Sequence, residues 1–346
     1  LVRIYAAERA AVDTAQPERD DAVERVLAWY LHTADAAGAV LMPARRRARP
    51  YPPVAGCRPL AFPSRERALA WCEAERANLG AALDRAIEAG RHALAWRIPL
   101  ALWDFFYLRS HWTDWVDTHR RGLLAARGDG DRTGEAGMLT SLGHAYWEMG
   151  RFDDALASAR DGLRIWRAIG DRWGEGIARH ILAGGYRGLL RLTDAVDHYR
   201  RALAAHELAD NHWGAGWTLT SLGAAYRELG RFRDALDVTG RACALLRELG
   251  DQHGLGAALN ALGDIHEALG QFDDAAVHFR QALRIHRTTA NRWGEAWSLR
   301  GIGLVMRGTG RPGMAGACWR LAVHIFDDLG DPRAAEIHRW SRLVSE

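Results

Sequence analysis

Apolar residues recur at helical spacing along most of the chain, in segments that short turns separate. In residues 213–229, for example, Leu219 and Leu222 fall on one face of a helix, because residues three or four apart share a face. Gly230 follows the last apolar position, where a left-handed cap is common. The pattern predicts a helix over 213–229, a turn at Gly230 and a second helix over 232–249.

This pair of helices recurs every 40 residues. Each new pair opens with an Asp or Asn, which is suited to cap a helix. The clearest copies are Asp171-Arg172-Trp173-Gly174-Glu175, Asn211-His212-Trp213-Gly214-Ala215 and Asn291-Arg292-Trp293-Gly294-Glu295. A regular period of this length is typical of a stacked solenoid, in which each unit buries its faces on its neighbours.

Small residues mark where the two helices of a pair should touch. The first helix carries a Leu-Gly pair or a close variant at Leu142-Gly143, Leu222-Gly223, Leu262-Gly263 and Ile302-Gly303. Glycine in a helix costs roughly 1 kcal/mol relative to alanine, so it is expected only where a missing side chain lets another helix approach. The matching small residues of the second helix are Ala155, Ala195, Ala235 and Ala275.

These residues, with Tyr146 and Gly150 and most of their counterparts at 40-residue intervals, resemble the tetratricopeptide repeat (TPR). The Asp-Arg-x-Gly-Glu linker is similar to that of the long-helix TPR subclass. The resemblance implies an all-α fold, an α-α superhelix (TPR solenoid) with an N-terminal helical segment. It implies five repeats over 131–330 and a capping helix over 331–346. Repeat 171–210 departs from the pattern, because it has Leu190 where the turn glycine is expected.

The N-terminal part divides into three segments. Residues 1–42 predict helices, and 43–63 form a Pro/Arg-rich linker whose run Arg45-Arg46-Arg47-Ala48-Arg49 we interpret as solvated. Residues 64–130 predict a degenerate helical, TPR-like region. Within it, Ser64 caps a helix that ends near Glu88. Residues 91–130 form a degenerate repeat, with Phe106 for the Tyr, Ser110 for the turn Gly and Trp115 for the small Ala.

Two short stretches resemble bacterial NB-ARC/STAND signalling ATPases. Leu1–Ala10 resembles the end of their winged-helix segment, and Ala68–Leu79 the helix that opens their C-terminal TPR region. The resemblance implies that this chain is the sensor part of such a regulator. ATP or ADP and Mg²⁺ are then expected only on an upstream domain, with no cofactor in this chain. The NB-ARC domain of the same parent chain becomes a candidate partner.

Composition narrows the chemistry. All 46 basic residues are arginine, so neither a P-loop nor a Schiff-base lysine can form. The net charge of +3 does not suggest nucleic-acid binding. Four scattered cysteines favour a reducing compartment and hence a cytoplasmic location. No apolar run reaches the ~20 residues of a membrane span, and no catalytic motif is present, so we expect no enzyme.

The candidate binding residues lie on the first helix of each repeat, at positions that face the concave side in the TPR family. Arginine suits carboxylates or phosphates, and tryptophan offers a large anchoring surface. The predicted groove residues are Thr140, His144, Trp147, His180, Arg187, Trp217, Thr220, Arg227, Asn260, Asp264, Glu267, Trp297, Arg300 and Arg307.

Alternatives stay open for the groove. It could bind an acidic or extended peptide or another domain of the parent protein, or it could be a solvated face with incidental arginines. The Asn that precedes the Leu-Gly pair in many peptide-binding relatives is replaced throughout, by Ser141 in the first repeat for example. Binding of a peptide backbone through an asparagine ladder is therefore not expected. The row of Trp173, Trp213 and Trp293 could stack on a ligand, but packing between repeats explains it more simply.

The sequence therefore predicts a non-catalytic sensor or protein-interaction module that binds a protein, peptide or small effector. One alternative is a free-standing TPR scaffold, and another is a peptide-pheromone receptor. A third is an unrecognised enzyme, for which His144, Asp264 and Glu267 would be the titratable groups in the groove.

Overall fold

The computed structural model describes residues 9, 12–47, 50–330 and 337, and over these residues the chain is helical with no strand. The resemblance at Leu1–Ala10 and the capping helix expected over 331–346 lie outside the described residues, apart from Arg9 and Ile337. Contacts within the chain define two compact units, one of residues 1–107 and 111–141 and the other of residues 108–110 and 142–346.

Two long helices open the described chain, α1 (Gln16–Leu41) and α2 (Arg65–Glu88). Ser64 caps α2 as the sequence predicts, because its hydroxyl accepts a 3.3 Å bond from the Arg67 amide. A broken helix follows, and then a continuous one. These elements are α3 (His92–Ala95), α4 (Arg97–Ala101), α5 (Trp103–Arg109) and α6 (Trp112–Gly128).

The break in this degenerate repeat has a local cause. Pro99 has no amide hydrogen to donate to the carbonyl four residues earlier, and the helix is interrupted at Trp96, between α3 and α4. Two of the three substitutions in this repeat, Ser110 and Trp115, are nevertheless accommodated. Ser110 takes the left-handed turn conformation, with φ 58°, and the Trp115 indole is fully buried and donates a 2.8 Å bond to the Ser141 hydroxyl.

Five helical hairpins follow over 131–330. We call the first helix of each hairpin helix A and the second helix B. The pairs are α7 (Arg132–Glu148) with α8 (Phe152–Ile169), α9 (Arg172–Gly188) with α10 (Leu192–Leu208), α11 (His212–Glu228) with α12 (Phe232–Glu248), α13 (Gln252–Ala268) with α14 (Phe272–Thr288), and α15 (Arg292–Gly308) with α16 (Pro312–Asp328).

The predicted caps and turns are confirmed. The side chain of Asp171 accepts a 2.9 Å bond from the Gly174 amide, and Asn291 makes the same contact with Gly294 at 3.0 Å. Gly230 turns the chain with φ 70°, and Leu190 adopts nearly the same left-handed conformation, with φ 59°. Since a β-carbon is unfavourable there, the second repeat keeps the turn geometry at a conformational cost.

The glycines inside helix A allow close approach by helix B. A β-carbon at Gly143 would lie 3.2 Å from the Ala155 carbonyl oxygen, and one at Gly263 would lie 2.6 Å from the Phe279 ring. A larger residue would require the neighbouring backbone to move at Gly143 and the Phe279 ring to move at Gly263. In the four hairpins that carry it, the repeated glycine therefore lets the two helices approach closely.

The interpretation of the arginine run as a solvated linker is wrong for Arg45 and Arg47. Their guanidinium groups bind the fully buried carboxylate of Asp104, with Arg45 Nε 2.6 Å from Oδ1 and Arg47 Nη1 2.7 Å from Oδ2. The loop is also held to α1, because the Leu60 amide donates a 3.2 Å bond to the Thr33 hydroxyl. A buried carboxylate requires such partners, and the arginines supply them.

Candidate functional site

The predicted groove residues lie on the A helices, and several connect consecutive A helices. His180 Nδ1 lies 3.0 Å from the Thr218 hydroxyl, and Arg300 Nη1 lies 3.2 Å from Asp264 Oδ1. Both contacts join residues nearly one repeat apart. We call the surface formed by the predicted residues of α9, α11, α13 and α15, together with His144 and Trp147 of α7, the helix-A face.

Trp147 covers the second repeat at one end of this face. Its ring stacks on His144 at 5.4 Å and meets His180 edge-on at 5.6 Å. A β-carbon at Gly184 would lie only 2.5 Å from the Trp147 indole. The indole therefore lies against α9 at a position where only glycine leaves room for it, and it gives the helix-A face an aromatic surface.

Arg187 and Arg227 share one carboxylate, that of Glu228. Arg187 Nε lies 3.9 Å and Arg227 Nη2 lies 3.6 Å from the same Oε1 atom. Both distances exceed hydrogen-bond length, and both arginines are partly exposed. The Arg227 Nε atom is buried and has no hydrogen-bond partner among the residues that the structure describes. The two guanidinium groups therefore keep unused donors beside the groove.

Arg307 and Glu267 stand apart from this arrangement, although the repeat places them in the same row. The Arg307 guanidinium lies over the Trp319 ring, 5.6 Å from its centroid. Within the part of the chain that the structure describes, no ion pair within 4.0 Å joins Glu267 to either Arg227 or Arg307. Of the three arginines that the repeat places at equivalent positions, Arg187 and Arg227 thus share a carboxylate, and Arg307 lies apart from them.

Trp217 connects the third repeat to the fourth. Its Nε1 donates a 3.0 Å bond to Asp251 Oδ2, and its ring lies 5.5 Å from His253. Trp213 lies one helical turn earlier, 6.1 Å from Trp217. These contacts fix the indole of Trp217 in place while leaving it partly exposed.

Trp297 is similarly fixed in the last repeat. Trp293 stacks on it at 5.4 Å with an interplanar angle of 11°, and the Arg300 guanidinium lies 4.4 Å from its ring centroid. Trp293 also packs on the apolar cluster of the last repeats, which confirms the packing interpretation for this indole. The Trp spacing of i and i+4 in the sequence could have revealed these pairs.

Four predicted groove residues are buried: Asp264, which is paired with Arg300, and three that lie inside the packing. Thr140 is buried, and Thr220 is buried with its hydroxyl donating a 3.0 Å bond to the Gly216 carbonyl. Asn260 is 3% exposed and accepts a 2.9 Å bond from the Ser298 hydroxyl. Their position favours a structural role, and a role in binding stays a prediction.

A buried His–Asn network beneath the face was missed by the sequence reasoning. The Asn291 amide nitrogen lies 3.0 Å from His253 Nδ1 and 3.1 Å from His286 Nδ1. Because an amide NH₂ can only donate, both ring nitrogens accept and neither bears a proton. Burial, with a smaller effect from His253, lowers the pKa of His286 to about 3. His286 thus acts as a neutral packing group, and the cap asparagine was the sequence signal for this network.

The titratable groups considered for an enzyme are held by separate partners. His144 Nε2 lies 3.6 Å from Glu148, whereas Asp264 is paired with Arg300. Over the described ranges no group of three His, Cys, Asp or Glu residues is arranged to hold a metal ion. None of the helices described is both long and apolar enough to cross a membrane.

Comparison with known proteins identifies the repeats. The tetratricopeptide repeat model matches residues 134–208, 174–248 and 255–326. The chain is also 31% identical over 160 residues to the regulatory protein AfsR of Streptomyces griseus. That match covers 46% of this chain but 16% of AfsR, so the chain spans a small part of the length of this relative.

Solved structures share the fold. One is a Signal Transduction ATPase with Numerous Domains (STAND) protein with a tetratricopeptide repeat sensor from Pyrococcus horikoshii, with a TM-score of 0.59 at 16% identity. The alignment covers 81% of this chain and 42% of that protein. Another is a Rap protein complexed with Competence and Sporulation Factor, with a TM-score of 0.57 at 13% identity, covering 76% and 79% of the two chains.

Proposed function

This chain belongs to the tetratricopeptide repeat family, and we propose that it is the sensor and partner-binding region of a STAND-type signalling regulator. The similarity to AfsR and the shared fold with a STAND sensor support this assignment. In the proposal the helix-A face binds the partner, which is a protein or peptide, and the NB-ARC domain of the same regulator is one candidate. In this proposal the solenoid carries out no catalysis and binds no cofactor, and the nucleotide is bound by another domain of the regulator. The regulator acts in the cytoplasm.

The observation that carries the proposal is the contrast between two sets of positions. The caps and the small residues between helices keep their type from repeat to repeat because packing demands them, and the turn residue does so in every repeat but the second, which has Leu190. On the helix-A face, by contrast, the residue type changes from repeat to repeat. Equivalent positions 40 residues apart hold Trp147, Arg187, Arg227 and Glu267. Partly exposed aromatic and arginine side chains of this kind are the residues that dominate binding at interfaces.

A peptide receptor is the second candidate. Its support is the fold shared with Rap proteins solved with Competence and Sporulation Factor and with the Phr* peptide, at TM-scores of 0.57 and 0.55. The shared fold makes a short extended peptide a reasonable first probe of the helix-A face.

A displayed library of random hexapeptides would test the proposal. We expect wild-type chain to enrich peptides that fail to bind the double variant Arg187→Ala/Arg227→Ala. The matched control is Arg191→Ala/Arg231→Ala, which removes two arginines of the A–B turns that are paired with Asp194 and Asp234. The control should bind as wild type does. Absence of enrichment, or equal binding by all three proteins, would count against the helix-A face as the binding surface.

A further inference from the structure

Arg187, Arg227 and Glu228 form an ion cluster whose charges do not balance. We propose that this cluster is a receptor for one carboxylate of the partner polypeptide, and that Glu228 occupies it as an internal substitute in the unbound chain. The inference rests on the proposed function, since it assumes that the partner binds the helix-A face. It adds the chemical group that is recognised and a residue that limits the affinity.

The first argument is the poor use of hydrogen-bond donors. Arg231 and Asp234 in the adjacent turn show what a well-formed pair looks like, with Arg231 Nε and Nη2 at 2.8 and 2.6 Å from Oδ2. Glu228 instead stays 3.6 Å or more from both of its arginines. It supplies charge without accepting their hydrogen bonds.

The unused donors include a buried one. Arg227 Nε lies out of contact with water and has no acceptor among the described residues. A guanidinium has five N–H donors in a fixed planar arrangement that matches a carboxylate. The ligand would use the exposed donors of the same two side chains, which are 27% and 28% exposed for Arg187 and Arg227. A carboxylate that reaches both arginines there would accept hydrogen bonds that Glu228 does not accept.

The second argument is the net charge. Two guanidinium groups and one carboxylate leave a single positive charge, which a monoanion balances. His180 adds none, because burial, together with nearby His144, His206 and Arg187, holds its pKa well below the usual value. A phosphate dianion would exceed the available charge and would be repelled by Glu228. Charge complementarity therefore favours a carboxylate.

The third argument is the neighbouring surface. The Trp147 indole lies against Gly184, within one helical turn of Arg187. An apolar surface beside the arginines lowers the local dielectric and strengthens their attraction for an anion. It also offers contact area for the chain that carries the carboxylate, which favours a polypeptide over a free small anion.

The test compares three blocked tripeptides by NMR titration of the full chain. Ac-Ala-Glu-Ala-NH₂ carries the carboxylate, Ac-Ala-Gln-Ala-NH₂ is its neutral match, and Ac-Ala-pSer-Ala-NH₂ carries a phosphate. We expect the Glu peptide to bind at least several-fold more tightly than the other two. The double variant Arg187→Ala/Arg227→Ala should lose this preference.

The decisive variant is Glu228→Gln, which keeps the shape and removes the internal anion. Relief of repulsion at about 4 Å corresponds to roughly fivefold tighter binding of the Glu peptide. Asp234→Asn is the control, because it removes the same charge from the same hairpin but beside Arg231, and it should leave binding unchanged. Equal tightening by both variants, or weaker binding after Glu228→Gln, would overturn the proposal.

Two further outcomes separate this inference from the proposed function. If library peptides need Arg187 and Arg227 but Glu and Gln tripeptides bind equally, the groove is a binding surface and the carboxylate receptor is wrong. If the phosphoserine peptide binds best, the cluster recognises phosphate and the carboxylate assignment is overturned.

Discussion

Leu190 should be a weak point of the solenoid, and replacing it with glycine should stabilise the chain. Leu190 has φ 59° in a turn where Gly150, Gly230, Gly270 and Gly310 have φ between 70° and 73°. Its backbone bonds match those of Gly230, since the Leu190 amide donates to the Arg187 carbonyl at 2.9 Å and the Gly230 amide to the Arg227 carbonyl at 2.9 Å. The geometry is thus the same with and without a side chain.

The magnitude follows from two opposing terms. A β-carbon in the left-handed region costs roughly 1–2 kcal/mol, whereas glycine makes unfolding more favourable by about 0.4–1 kcal/mol through chain entropy. The Leu190 side chain is 80% exposed, so its removal forfeits little packing. Leu190→Gly should therefore increase the free energy of unfolding by about 0.5–1 kcal/mol.

Chemical denaturation followed by circular dichroism would measure this difference, with Gly230→Leu as the reciprocal variant. The reciprocal change should destabilise the chain by about 0.5–1 kcal/mol, because it introduces the same strain and removes the entropy that glycine gives the unfolded chain. Since repeats unfold partly independently, amide exchange of α9 and α10 should show the gain locally. A destabilised Leu190→Gly, or a harmless Gly230→Leu, would refute the account of the turn.

Three other variants address the core and the arginine loop. Asp35→Asn should stabilise the chain at pH 7 by up to about 3 kcal/mol, because burial raises the pKa of Asp35 from 3.8 to about 6 and the folded state therefore disfavours its charge. Urea denaturation at a series of pH values should show that this gain disappears below about pH 4, and a gain that persists there would contradict the proposed cause. Asp104→Ala should destabilise the chain by about 3–5 kcal/mol because it leaves Arg45 and Arg47 unpaired, and limited proteolysis should then cut within 43–63. The control Asp114→Ala breaks an exposed 3.0 Å pair with Arg76 and should have little effect on stability or cleavage. Gly303→Ala should reduce the free energy of unfolding by about 1–3 kcal/mol and lower the thermal midpoint, because the added methyl group overpacks against the buried Trp319 indole. The control Gly313→Ala has nothing within 4 Å of the added carbon and should leave the midpoint unchanged or raise it.

The sequence predicted the caps, the turns and the close helix contacts because each depends on residues a few positions apart. Asp171 caps α9 through Gly174, and Gly230 turns the chain through bonds to residues just before it. Local chemistry of this kind repeats whenever the residues repeat. Leu190, which the sequence showed only as a departure from the pattern, adopts the turn conformation of its position in the repeat despite its residue type.

The structure of the groove could not be predicted in the same way, because its contacts join residues of different repeats. Trp147 rests against Gly184, and the Asn291 amide reaches His253 in the preceding repeat. The arginine loop failed as a prediction for the same reason, since Arg45 and Asp104 lie 59 positions apart. A pattern of single positions indicates which face is variable but not which side chains meet there.

The most direct test of the central claim is to locate a bound peptide by photo-crosslinking. A benzoylphenylalanine would replace Ala224, on α11 between Thr220 and Arg227, or Val277, which is 47% exposed on helix B of the fourth repeat. With a peptide selected by the wild-type chain, the account predicts a crosslink from position 224 and none from 277. A crosslink from 277 alone would place the binding surface on the B helices and contradict the account.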